Sequence, residues 1–362
     1  MPSLEGTYPA ANLKNFTVEI IDTCNLACRL CYTESSPTKD TVMSTRRVLD
    51  LLHRVSADVH TLSLSGGETF LHPDIELICR DTRYLFEEFS ILTNATETTD
   101  GQLDWVAELD IRLGISIDGR EEVHDHHRGR GSFQKSARTM LRARERGIKF
   151  WIQTIIGDFG ADDLEYIVKL AIALGAYGVA FQRPKKTGRA NAKNATWMGP
   201  ARYREVVKTV HALAEKYSDM HILIKDALYN CEDTCLKQAA EDLGDPNAIV
   251  GGCRAGLTYL YVRPNGDVLM CPFVPNVVGN IFKNDIYEIW AAGSDLDLVR
   301  SKDNYKVCGK CQNFSVCRGC RAEALAWTGR LMGEDPNCWQ KLEPSGARSV
   351  SAGIRAIPIV QA

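Results

Sequence analysis

Short runs of β-branched and aromatic residues recur through the first half of the chain, separated by stretches whose apolar positions repeat every three to four residues. The runs FTVEII (Phe16–Ile21), TLSLS (Thr61–Ser65), FSILT (Phe89–Thr93), IRLGISI (Ile111–Ile117), KFWIQTII (Lys149–Ile156) and YGVAFQ (Tyr177–Gln182) each predict a strand. Before the last of them, Leu164, Ile167, Val168, Ala171 and Leu174 share one helical face. Pro73 and Pro200 stand where a first helical turn tolerates proline. Six strands alternating with helices predict right-handed β-α units on a parallel sheet. The expected α/β fold is a partial (β/α)6 TIM-like barrel, with a doubly wound sheet as the alternative.

A long helix is expected from Pro200 to Ser218, with Tyr203, Val206, Val207, Val210, Leu213 and Ala214 as its apolar stripe. Past Asp226 the alternation stops. Leu257–Arg263 and Val268–Met270 flank Pro264-Asn265-Gly266-Asp267 and predict two strands joined by a tight turn, since Asn-Gly accepts the positive φ that such turns need. A short helix over Asp285–Ala291 precedes a cysteine-rich stretch with little periodicity. Such a stretch builds little apolar core and calls for metal to hold it. These shifts divide the chain into a lead-in (1–15), a barrel (16–226), a second domain (227–341) and a tail (342–362).

Composition narrows the function. The 362 residues suffice for two domains, and a net charge of −3 gives no reason to expect nucleic acid or an acidic membrane surface as a partner. The first residues lack the basic-then-apolar pattern of a secretory signal. No apolar run approaches the roughly 20 residues that span a bilayer. A cytoplasmic location is therefore expected, where thiols stay reduced and dense cysteines mean metal or catalysis rather than disulfides. The thirteen cysteines are unevenly spread: three between Cys24 and Cys31, one at Cys79, and nine between Cys231 and Cys338. Cys79, on an expected helix, reads as a buried structural thiol.

Cys24-Asn-Leu-Ala-Cys28-Arg-Leu-Cys31 directly follows the first strand, and in a β-α barrel such a loop lies at the catalytic rim. Three thiolates so close together can hold three irons of a [4Fe–4S] cube and leave the fourth open. A zinc site, which usually wants four ligands, and chance core thiols are the alternatives. The CxxxCxxC spacing, with Leu30 as the apolar residue before the last cysteine, resembles the signature of the radical S-adenosylmethionine (SAM) superfamily. Ser65-Gly66-Gly67-Glu68 after the second strand is similar to that family's GGE motif.

The resemblance implies that Cys24, Cys28 and Cys31 ligate a [4Fe–4S] cluster that binds SAM. Gly66, Gly67, Glu68 and Leu30 would belong to the SAM site, the glycines letting backbone approach the methionine moiety. Asn94 and Ser116, near the ends of the third and fourth strands, would contact its ribose and carboxylate. One electron, from an external donor such as flavodoxin or ferredoxin, would split SAM into methionine and a 5′-deoxyadenosyl radical that takes a hydrogen atom from substrate. His124-Asp125-His126-His127-Arg128-Gly129, ahead of Gly131-Ser132-Phe133, resembles a stretch of one branch of the superfamily. Its implied role is loop structure, with Arg128 touching SAM or substrate; a histidine metal site is the alternative.

Further along, Cys253-x12-Gly266-x4-Cys271, Cys308-x2-Cys311-x5-Cys317-x2-Cys320 and Cys338 resemble the SPASM domain, a C-terminal extension of many radical SAM enzymes. By that resemblance there are two auxiliary [4Fe–4S] clusters. Cys308, Cys311, Cys317 and Cys338 would close one; Cys253, Cys271 and Cys320 would hold the nearer one, a ligand short. CRGC stands here where the family usually has CxxxC, and zinc ribbons are the alternative. Of Cys231 and Cys235, just before this pattern, Cys235 is the preferred candidate for the missing ligand or for a hydrogen-atom donor to a product radical, unless that iron stays open for substrate.

SPASM enzymes act on peptides, sulfatases, haem precursors, sugars and aminocyclitols. About fifteen residues precede the first strand, too few for a peptide-recognition domain. The expectation is therefore net oxidation or rearrangement of a small molecule, such as a sugar, aminocyclitol, nucleoside or other natural product. A maturase of ribosomal peptides, a haem-precursor enzyme and a non-catalytic iron–sulfur electron carrier are the alternatives, and the GGE motif argues against the last. Lys185-Lys186-Thr187-Gly188-Arg189 puts positive charge at the expected rim, either to attract an anionic substrate or as a solvated loop.

Overall fold

The computed structural model describes residues 12–157, 159–191, 197–243, 250–291 and 293–342. The expected tail lies outside them from residue 343 onward, as does the lead-in up to residue 11.

Seven strands run parallel and lie side by side in chain order: β1 (Asn15–Glu19), β2 (Thr61–Ser65), β3 (Glu88–Thr93), β4 (Arg112–Ser116), β5 (Phe150–Ile155), β6 (Gly178–Gln182) and β7 (His221–Ile224). Helices α1 (Thr45–Val55), α2 (Ile75–Thr82), α3 (Asp100–Glu108), α4 (Glu121–Arg128), α5 (Ser132–Glu145), α6 (Ala161–Leu174) and α7 (Pro200–Lys216) connect them. The six expected strands form within a residue or two of their apolar runs. The open parallel order is that of a partial barrel, not of a doubly wound sheet, whose strand order would reverse. The seventh strand, HILI, was not foreseen: four residues between a helix and polar positions carry too short a signal.

Strand alternation divides the sheet into two faces. Phe16, Val18, Leu62, Leu64, Phe89 and Ile91 are buried in one apolar core, with Val48, Leu52 and Ile78 from α1 and α2 among its members. The intervening positions Glu19, Ser63, Ser65, Ser90, Ser116 and Gln153 are polar. A sheet that buries polar residues on one face keeps that face for something other than core. Cys79 is fully buried in α2, as expected.

The chain past residue 226 does not fold apart from the barrel. After α8 (Thr234–Leu243), the strand β8 (Tyr259–Val262) pairs parallel with β1, Asn15 opposite Tyr259 and Val18 opposite Val262. The expected hairpin then extends the same sheet through β9 (Asp267–Leu269), and β10 (Val277–Asn280) follows. Gly266 supplies the turn at φ +84°, and a Cβ there would meet the Phe282 ring at 2.7 Å. From α9 (Ile286–Ala291), Tyr287 donates to Asp58 at 2.6 Å, and Asp285 just before it accepts from Arg54 of α1 at 2.8 Å. Beyond α10 (Ser294–Arg300), short turns carry the cysteines up to α11 (Arg321–Thr328). Arg321 is buried with its guanidinium donating to the carbonyls of Leu331, Gly333 and Arg318 at 2.9–3.0 Å. Among the described residues no helix is long and apolar enough to cross a membrane.

Candidate cluster and cofactor site

The loop after β1 bends back over the C-terminal ends of the strands and brings Cys24, Cys28 and Cys31 to the rim of a cavity of about 170 Å³. Burial pushes the Cys24 thiol up to about 12 and raises Cys28 as well. As free thiols these groups hold their protons, so metal must displace them to bind. Asn94 donates to Asn25 at 2.9 Å and to the Cys24 sulfur at 3.7 Å, fixing the first cysteine from the end of β3.

The glycine pair does more than approach a ligand. A Cβ on Gly67 would lie 2.2 Å from the Thr23 carbonyl oxygen, and one on Gly66 would lie 2.7 Å from that of Ile21. The two glycines let β2's loop pack directly on the backbone leading into the cysteines. Gly67 N–H donates to Ile21 at 2.7 Å, and Glu68 N–H to Thr23 at 2.9 Å.

Gly66, Gly67, Leu30, Asn94, Ser116 and Arg128 all line the cavity, whereas Glu68 does not. The Glu68 carboxylate is buried and accepts from Thr93 Oγ1 (2.7 Å), Asn94 N–H (2.8 Å) and Phe70 N–H (3.2 Å). These bonds make Glu68 a tie between the β2 and β3 loops. Burial raises its pKa against those hydrogen bonds.

The histidine stretch also corrects an expectation, because it is helix α4 and not a loop. Glu121 and Glu122 occupy its first turn and His126, His127 and Arg128 its last, matching the helix dipole at both ends. His124 Nδ1 accepts from Asp118 N–H at 3.0 Å, and burial draws the imidazole down to about 4, so it is neutral. Asp118 binds Arg128 Nε at 2.7 Å and Ile155 N–H at 2.9 Å. Arg128 thus faces the cavity held by a carboxylate, with Cys28 and Cys31 as charge neighbours.

The Lys185–Arg189 segment is spent inside the protein. Lys185 is buried against Asp226. Lys186 sits 4.4 Å over the Trp327 ring. Arg189 donates to the carbonyls of Cys28 at 2.6 Å and Ser35 at 2.7 Å, while its N–H reaches Cys31 at 2.9 Å. Gly188 has φ +55°, and a Cβ would meet the Cys31 and Tyr32 carbonyls at 2.5 Å. Arg189 is thus a clamp on the cysteine loop, while it and Lys185 also line the cysteine-bearing cavity. Sequence alone hid this because the partners lie more than forty residues away.

The later cysteines sort into two groups. Cys308 has Cys311 and Cys317 as neighbours, and Cys338 has Cys317 and Cys308. Cys271 has Cys253 and Cys320. CRGC divides the two because Arg318 and Gly319 both turn left-handed (φ +65° and +66°), sending Cys317 and Cys320 to opposite sides. Arg318 is held in that conformation by donating to the carbonyls of Gly251 at 2.6 Å and Cys253 at 2.8 Å. Cys231 is hydrogen-bonded to Cys317, beside the four-cysteine group. Cys235 is placed on that side as well: α8 packs against the Phe314–Val316 turn, and Lys237 is a charge neighbour of Cys311. Cys235 is not among the residues lining the barrel cavity, where a donor to a substrate radical is needed.

Family models match this chain at residues 18–171 (radical SAM superfamily) and 253–321 (SPASM, an iron–sulfur cluster-binding domain). The chain belongs to the radical SAM superfamily and carries a SPASM domain. The AdoMet-dependent heme synthase of Oleidesulfovibrio alaskensis is 28% identical, covering 93% of this chain and 89% of that one. The mycofactocin maturase MftC of Mycobacterium tuberculosis is 28% identical over 92% and 84%. The structure of Streptococcus suis SuiB bound to S-adenosylmethionine matches with a TM-score of 0.73 at 17% identity, over 90% of this chain and 76% of that one, a likeness of fold.

Radical SAM enzymes use SAM and a [4Fe–4S] cluster, and the SPASM domain implies auxiliary clusters besides. The residues present fit such groups. Among the described residues no three histidine, cysteine or carboxylate side chains converge as the ligands of one metal ion would. Thiolates that each bind a different iron of a cube stand further apart than that. The clamp on this radical SAM loop gives a direct test. Arg189→Met removes two charge-assisted hydrogen bonds worth about 1.5–3 kcal/mol each. The variant should keep its circular dichroism but retain less iron after anaerobic reconstitution and desalting. Full iron retention would show the clamp to be dispensable.

Proposed function

We propose that this enzyme modifies a haem precursor by SAM-dependent radical chemistry. The observation that carries the reading is the near-full-length likeness to AdoMet-dependent heme synthases. It favours the haem-precursor alternative over the sugars, aminocyclitols and nucleosides expected first. A second cavity, of about 280 Å³, supports it. Trp197, Met198, Trp327 and Pro336 give it broad apolar walls, and it shares Arg183 and Pro184 with the cysteine-lined cavity. A flat, largely apolar ring system suits such walls, and the shared lining residues set it next to the cysteine-bearing cavity.

In this reading Cys24, Cys28 and Cys31 hold the SAM cluster, and Gly66, Gly67, Leu30, Asn94 and Ser116 form the SAM pocket. When bound, cluster and SAM together supply a 5′-deoxyadenosyl radical that removes a hydrogen atom from substrate. The protein's own part is orientation and exclusion of water. Arg128, fixed by Asp118, keeps a positive charge beside the thiolates. Cys308, Cys311, Cys317 and Cys338 hold one auxiliary cluster; Cys253, Cys271 and Cys320 hold the other, with Lys185 as a nearby cation. Electrons come from a flavodoxin- or ferredoxin-type carrier. Likeness to a mycofactocin maturase keeps a peptide substrate as the second reading.

The deciding experiment incubates anaerobically reconstituted protein with SAM and dithionite, adding either iron porphyrin carboxylates or short peptides. Porphyrin should stimulate 5′-deoxyadenosine release and itself change mass. Stimulation by peptide alone would overturn the reading, and a complete lack of 5′-deoxyadenosine would favour an electron carrier.

A further inference from the structure

We propose that Lys225 captures a carboxylate of the substrate inside the barrel, together with the indole N–H of Trp151. The proposal rests on the preceding reading only for which molecule brings the carboxylate.

Position comes first. Lys225 follows β7 directly, and its N–H donates to Phe181 at 2.8 Å, so the residue continues the strand beside Gln182. Ile222 and Ile224 belong to the apolar core. By alternation Lys225 therefore stands on the opposite, polar face with Gln182 and Gln153, both of which line the cysteine-bearing cavity. Its ammonium lies 5.4 Å from the centre of the Trp151 ring. That ring reaches across to Gly114, where a Cβ would come within 2.5 Å of it. Gly114 lies two residues before Ser116, a cavity residue. The cation thus stands on the inner face of the barrel, next to the cysteine-bearing cavity's lining residues and not among them.

Chemistry comes second. Among the described residues no carboxylate pairs with this ammonium. Its chain neighbour Asp226 is committed to Arg183 and Lys185. Burial draws the Lys225 pKa down to about 8, with no opposing charge, and leaves it charged at neutral pH. Trp151 is buried as well, and its Nε1–H has no acceptor among the described residues. A half-buried cation beside an unanswered buried donor is costly unless an anion joins them. A carboxylate supplies acceptors for both, and haem precursors carry carboxylate side chains.

The test uses the full-length, reconstituted protein and the variants Lys225→Met and Lys225→Arg. Succinate, a simple carboxylate, should raise the melting temperature of wild type and Lys225→Arg but not of Lys225→Met. Without ligand, Lys225→Met should melt no lower than wild type, because it removes an uncompensated charge. An iron porphyrin dicarboxylate, followed by its absorbance shift, should bind Lys225→Met about tenfold or more weakly, with its dimethyl ester indifferent to the change. SAM affinity should stay constant. Equal stabilisation of wild type and Lys225→Met by succinate, or a loss confined to SAM affinity, would overturn the assignment. Succinate dependence without porphyrin binding would leave Lys225 as the anchor and remove the haem-precursor reading instead.

Discussion

Asp335→Ala will lower the melting temperature by about 5–10 °C and strip iron from the C-terminal cysteines. Asp335 is 1% exposed and sits where barrel and cysteine-rich region meet. Its carboxylate accepts a forked pair from Arg183, at the end of β6, and also the N–H of Cys320 at 3.1 Å and of Asn337 at 3.0 Å. Arg183 and Lys185 face Asp226 and Asp335, two cations against two anions. Removing one anion leaves two buried cations on Asp226 alone, a loss of about 3–5 kcal/mol for a broken buried pair. Asp335→Asn keeps one acceptor oxygen, enough for Cys320 N–H or Asn337 N–H but not both, and loses the charge, so it should fall between. Melting curves and iron analysis on matched preparations decide the matter. A variant that melts with wild type and keeps its full iron would show that the two regions are joined by something other than this pair.

What the residues disclosed in advance follows from the range of the forces involved. Strands such as TLSLS were legible because burial alternates within five residues. The first cysteines were legible as a group because all three fall within eight residues after one strand. Contacts between distant segments left no comparable trace. The Asn265-Gly266 turn announced a hairpin, but nothing nearby showed that β8 would lie parallel to β1, some 240 residues earlier in the chain. Lys185 and Arg189 looked like a cationic rim or a solvated loop; they line the cavity, and nothing in the sequence showed that Asp226 and two loop carbonyls would hold them there. Glu68 carried a motif's reputation as a ligand, while its three hydrogen bonds stay within the fold. Cys235 was judged from its place just ahead of the second motif, before α8 could be seen packing it towards the other group. Lys225 drew no notice, since a lone lysine after a missed strand has no pattern to stand in.

Gly67→Ala will abolish SAM cleavage, although it adds only one methyl group. The new Cβ would stand 2.2 Å from the Thr23 carbonyl oxygen and 2.7 Å from that of Asp22, and both obstacles are backbone. No rotamer change relieves such overlap. The β2 loop must draw away from residues 21–23, breaking the bonds from Gly67 N–H to Ile21 and from Glu68 N–H to Thr23. The loop bearing Cys24 then loses its support, and the proposed SAM pocket opens at the same point. Gly101→Ala is the control: that glycine lies in α3 with no atom within 4 Å of a new Cβ, and alanine there should be neutral or stabilise by about 0.5–1 kcal/mol. Release of 5′-deoxyadenosine under dithionite, normalised to iron content, separates the two variants. If Gly67→Ala cleaves SAM at a rate comparable to Gly101→Ala, the close approach of the two backbones is not what holds the cysteine loop in its working position.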